Sequence, residues 1–102
     1  MKVKEMAYAI WPILAERATG QRRIFYSDLA DMIGIHPRPV YMGLDLIQTH
    51  CIDHNMPPLT VLVVSKDTGK PGAGFNRNYC PDLNQGLREV SNYNWDQEEN
   101  PF

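Results

Sequence analysis

Apolar residues recur at spacings of three and four from the start of the chain. Val3, Met6, Ala7, Ile10, Ile13, Leu14 and Ala18 fall on one side of a 3.6-residue period. This predicts a helix over residues 3–18. Pro12 lies inside it and must cost a hydrogen bond or a kink, and Gly20 suits the left-handed position that ends a helix. Residues 22–26 read as a short extended run. Ser27 suits an N-cap, with Asp28 in the first turn. Leu29, Ala30, Met32 and Ile33 then supply the apolar face of a short second helix closed by Gly34. Pro39 suits the first turn of a third helix. Val40, Leu44, Ile47 and Cys51 carry that helix on to about His54.

After Asn55-Met56-Pro57-Pro58 the period changes. Leu59-Thr60-Val61-Leu62-Val63-Val64-Ser65 is rich in β-branched residues and reads as a strand. Lys66 to Gly72 is turn chemistry, and Gly72, Gly74, Phe75 and Asn76 are candidates for a returning arm. Residues 82–90 predict a short helix weakened by Gly86. Residues 91–102 have no clear period, although Tyr93 and Trp95 are expected to pack back onto the body. The expected architecture is therefore α+β: a winged helix-turn-helix of three helices and a β-hairpin wing over residues 1–90, then an acidic C-terminal tail over 91–102.

The chain of 102 residues fits one domain, and its 43% hydrophobic and 22% charged content suits a globular fold. With only Cys51 and Cys80 it is not a disulfide scaffold. No apolar run approaches the ~20 residues of a membrane span. The first residues lack the small-residue cleavage site of an export signal, which points to the cytoplasm. The net charge of −2 is unevenly spread. Residues 1–80 hold nine Lys/Arg against seven Asp/Glu, a balance of +2, whereas residues 81–102 hold one against five, a balance of −4. A local nucleic-acid patch is compatible with this distribution; coating DNA through bulk charge is not.

Catalytic chemistry is hard to find. Asp28 and Asp31 suit a cap and a surface position, and Asp45 falls on the polar side of the third helix. The Gly69–Gly74 segment lacks the Gly-Lys-Ser/Thr of a phosphate loop. His50 and His54 have ligand-compatible i, i+4 spacing, with Cys51 adjacent and Cys80 distant. Cys51 belongs to the apolar stripe, however, and no Cys-x-x-Cys accompanies it. No metal, cofactor or enzymatic activity is expected. A metal-dependent enzyme built on His50 and His54 would need stoichiometric metal in the purified protein.

Ile24-Phe25-Tyr26-Ser27-Asp28-Leu29-Ala30-Asp31-Met32-Ile33-Gly34 resembles the V-[ST]-Y-G-[DE]-[IL]-A-x-x-x-G segment of the alkylguanine-DNA alkyltransferases and the non-enzymatic alkyltransferase-like proteins. Pro37-Arg38-Pro39-Val40-Tyr41-Met42-Gly43-Leu44 is similar to their A-R-A-V-G-x-A-[ML] recognition helix. Pro57 to Val64 falls where they carry [IV]-P-x-H-R-V-[IV], and Lys66 to Gly72 falls where they place the strand-turn and wing. The likeness covers residues 22–76 and is looser in identity than in order. It implies a winged helix-turn-helix whose recognition helix enters the minor groove. Arg38 would take the place of a displaced base, and Tyr26 would crowd the adjacent phosphate so that the nucleotide rotates out. The family's cysteine, histidine and arginine are missing here: Leu59, Thr60 and Val61 follow Pro58, so alkyl transfer to a cysteine is excluded there.

These readings converge on non-catalytic binding of double-stranded DNA, with a distorted or extruded base as the target the resemblance implies. Arg38, Tyr41, Met42 and Asp45 would face the groove, and Tyr26, Arg22, Arg23, Lys66 and Lys70 the backbone. The alternative is a protein-interaction or inhibitor module on the same scaffold that does not bind DNA. The pI of about 5.8, the acidic tail and the bulk of Tyr41 and Met42 motivate it.

Overall fold

In the computed structural model, which describes all 102 residues, helices dominate. Helix α1 spans Val3–Ala18, α2 Tyr26–Ile33, α3 Val40–Asp53 and α4 Leu83–Asn92. Strand β1 is Ile24–Phe25 and strand β2 is Val63–Val64. Short 3-10 turns cover Leu59–Leu62 and Trp95–Gln97.

Helix α1 forms as its periodicity predicts, burying Met6, Ala7, Ile10, Trp11, Leu14 and Ala18. It packs chiefly on α3, which buries Val40, Gly43, Leu44, Ile47 and Cys51. Gly43 makes this approach possible: a Cβ there would stand 2.9 Å from Met6 Cγ and 3.0 Å from Ile10 Cδ1. After α1 the left-handed residue is Gln21 (φ 51°), not Gly20. The amides of Gln21 and Arg22 reach back to the carbonyls of Ala18 and Arg17.

Helix α2 starts two residues earlier than expected, with Phe25 rather than Ser27 as its N-cap. Phe25 is held extended by its pairing in β1 (φ −76°, ψ 149°), so the strand runs directly into the helix. The Ser27 hydroxyl is left buried without a partner. Gly34 closes α2 as expected, in the left-handed conformation (φ 73°), donating to the carbonyls of Ala30 and Asp31.

The winged helix-turn-helix is not formed. A wing needs an antiparallel hairpin, and the only sheet is a two-residue parallel pair, Ile24 with Val63 and Phe25 with Val64. The segment read as one long strand winds through a 3-10 turn at Leu59–Leu62 before two extended residues. All six residues from Leu59 to Val64 are buried. That burial explains the misreading, because a short, wholly buried apolar run shows neither helical nor strand alternation. Residues 66–76 do not return as a strand. Pro71 offers no amide, and the Gly72 amide is taken by a side chain rather than a ladder. The protein is thus a small helical domain with a minimal sheet.

Helix α4 is capped by Asp82, whose carboxylate accepts from the amides of Asn84 and Gln85. Beyond it the acidic segment folds back. Trp95 is buried with its ring edge-on to Trp11, 5.7 Å between centroids, and its Nε1 donates to the Val90 carbonyl (2.8 Å). No helix is long and apolar enough to cross a membrane.

Candidate functional site

A cavity of about 170 Å³ opens beside α3. One wall is the α3 face carrying Tyr41, Leu44, Asp45 and Gln48, spaced so that consecutive turns of the helix stack these side chains. Tyr26, the first residue of α2, and Thr60 of the 3-10 turn form the second. The Gly72–Phe75 loop closes the third.

Side chains on the helical wall fix that loop. The Gly72 amide donates to Tyr26 Oη (2.8 Å). Gln48 clamps it twice, accepting at Oε1 from the Asn76 amide (2.7 Å) and donating from Nε2 to the Gly74 carbonyl (3.0 Å). The Asn76 side chain accepts from the amides of Asn78 and Tyr79. Tyr79 Oη donates to the Met56 carbonyl (2.6 Å), tying the far end of the loop to the body. A segment with no regular structure thereby becomes a defined wall.

Thr60 is the one polar side chain among the buried residues, and it sits on the cavity. Asp45 stands at the mouth, exposed on its outer side, and partial desolvation raises its carboxyl above the ordinary carboxylate value. The only ion pair in the molecule joins Arg22 to Glu16, and no Lys or Arg lines the cavity. Bound anions would find no positive partner inside.

Of the residues expected to meet DNA, the fold brings Tyr26, Tyr41 and Asp45 together on this cavity. Arg38 is exposed one turn before Tyr41, in the connection leading into α3. Met42 is half-buried and does not line the cavity, being rotated about 100° from Tyr41 around the helix. The basic residues are not gathered with them. Arg22 is drawn to the end of α1, donating to the Glu16 carbonyl (3.2 Å). Arg23 shares a shallow groove with Phe25, Asp28 and Met32, and Lys66 lies 5.6 Å over the Phe25 ring. Lys70 is exposed on a turn; its amide donates to Thr68 Oγ1, and its carbonyl accepts from the Ser65 amide and the Thr68 hydroxyl.

Gln48, Thr60 and the Gly72–Phe75 loop were not anticipated as part of a site. Gln48 alone carried a signal, because Tyr41, Asp45 and Gln48 follow an i, i+4, i+7 pattern on α3. Leu59, which stands where the resemblance would place a reactive cysteine, is wholly buried.

The histidine pair does something else. His50 and His54 stack at 4.1 Å between ring centroids, and His50 meets the edges of Trp11 and Phe102. Burial pushes the neighbouring Cys51 thiol up to about 11, which keeps it protonated. No three His, Cys, Asp or Glu side chains are grouped to hold a metal. No family model, curated protein or solved structure matches this chain.

Proposed function

We propose that the protein binds double-stranded DNA without catalysing a reaction and receives a displaced base in the cavity beside α3. The observation that carries this reading is the meeting of Tyr26, Tyr41 and Asp45 on one cavity wall system. These residues come from two segments of the region resembling the alkyltransferase-like proteins. At about 170 Å³ the cavity is below the roughly 300–1,000 Å³ usual for drug-sized ligands, a size in keeping with a single planar group. Two tyrosine rings provide stacking surface. Stacking of a base on an aromatic ring is worth ~1–3 kcal/mol, comparable to the few kcal/mol that extrusion costs. In this reading Arg38, exposed one turn before Tyr41, fills the gap that the displaced base leaves in the stack.

Fluorescence anisotropy with short labelled duplexes tests this. Binding should weaken steeply as salt rises, a duplex with one unpaired base should bind more tightly than its fully paired parent, and Arg38→Ala should weaken both. Absent or salt-insensitive binding contradicts the proposal. It would favour the protein-interaction alternative, for which exposed Tyr8 and Met32 supply apolar surface.

A further inference from the structure

We infer that Asp45 makes the cavity selective for bases that carry an amino group where their counterparts carry a carbonyl: cytosine over uracil at C4, and adenine over hypoxanthine at C6. This rests on the base-accepting reading above and adds a specificity determinant to it. The argument is one of hydrogen-bond sense. Tyr26, Tyr41 and Thr60 carry hydroxyls, which donate or accept as the ligand requires, so they do not distinguish an amino group from a carbonyl. Tyr26 is further committed, since its oxygen already accepts from the Gly72 amide. Gln48 has both ends of its amide engaged by the loop. Among the lining side chains Asp45 alone has a fixed sense, because an ionised carboxylate only accepts.

Its setting preserves that sense. No Lys or Arg lies within ion-pair distance of it to consume its acceptor capacity. The loop passes directly over it: a Cβ on Gly74 would stand 3.6 Å from Asp45 Oδ1. The carboxylate is therefore confined at the cavity mouth while its oxygens remain open. An amino group entering there donates to a carboxylate, as acidic side chains accept from the cytosine N4 and as the adenine N6 amine donates. A carbonyl oxygen at the same place meets two oxygens and no proton.

The test uses the full chain and duplexes that differ in one central base opposite an abasic site, so that the base is unpaired in every case. Cytosine is compared with uracil, and adenine with hypoxanthine, each pair being nearly isosteric. The wild-type protein should prefer the amino member by about tenfold. Asp45→Asn, whose amide both donates and accepts, should abolish or reverse the preference, and Asp45→Ala should abolish it, with circular dichroism confirming that both variants fold. Equal wild-type affinity within each pair overturns the inference, as does a preference that survives in Asp45→Asn. Salt-sensitive binding with no base preference leaves the DNA-binding reading standing and removes only this one. Failure to bind any duplex removes both.

Discussion

The side-chain amide of Asn100 donates to the carbonyl oxygen of Tyr8 (2.8 Å), the oxygen that Pro12 leaves without its helical donor. Proline has no N–H, so the i, i+4 bond from residue 12 to residue 8 cannot form. The acidic C-terminal segment supplies the missing donor from a residue 92 positions away. Asn100→Ala should therefore lower stability by about 1 kcal/mol in chemical denaturation. In a Pro12→Ala background the helix regains its own donor, and the same truncation should cost measurably less. Equal costs in the two backgrounds would contradict this coupling.

Gly86 is needed for space rather than for flexibility. A Cβ there would lie 2.5 Å from Cys80 Sγ and 3.4 Å from Pro58 Cγ. In an exposed helix Gly→Ala gains about 1 kcal/mol, but overpacking of this kind costs about 1–3 kcal/mol. Gly86→Ala should therefore destabilise by about 1 kcal/mol net. Adding Cys80→Ala should recover most of it, and a double-mutant cycle by urea denaturation reads the recovery directly.

Stability should decline on the alkaline side. Burial pushes the Cys51 thiol from 9.0 up to about 11. The hydrogen bond to Glu98, with burial behind it, pushes the Tyr93 phenol from 10.0 up to about 12. Both groups hold their protons more tightly in the fold than in the unfolded chain. Their contribution is therefore complete below pH 9 and is lost progressively as pH rises from 9 to 12. Tyr93→Phe should flatten the upper part of that decline in melting temperature against pH. Burial and neighbouring His54 lower the His50 pKa, so its sign is opposite: stability should fall as pH drops through 6.5, where the unfolded imidazole takes up its proton.

Gln48 holds the cavity wall through two hydrogen bonds. Gln48→Ala should cost about 1–3 kcal/mol and, more specifically, should speed hydrogen exchange at the Asn76 amide, which it leaves without an acceptor. Unchanged exchange there would show that the loop is held by other contacts.

Much of the helical frame was legible from spacing alone. Val3–Ala18 forms as its apolar stripe predicts, and α3 ends one residue before the expected His54. The wing was misread because Leu59 to Val64 is rich in β-branched residues yet buried throughout, so composition pointed to one long strand where packing selects a 3-10 turn at Leu59–Leu62 and leaves only Val63–Val64 extended. The partner of Val63 is Ile24, 39 positions earlier and parallel, a pairing that no local pattern announces. At the site, Tyr26 and Tyr41 lie in the segments that carry the resemblance, and Asp45 was legible only as a position on the polar side of α3; none of the three was read as lining a cavity. The Gly72–Phe75 loop joins them only through tertiary hydrogen bonds to Tyr26 and Gln48, and Thr60 only through the packing of the 3-10 turn against α3.

The central claim is that the cavity beside α3 is where DNA is engaged. Nitrogen-15 chemical-shift mapping of the intact protein, titrated with a short duplex carrying one unpaired base, tests it most directly. The largest shifts should cluster at Tyr26, Tyr41, Asp45, Thr60 and the Gly72–Phe75 loop, with Arg38 beside them. Shifts confined to the Phe25 and Met32 groove, or no shifts at all at low salt, would contradict it.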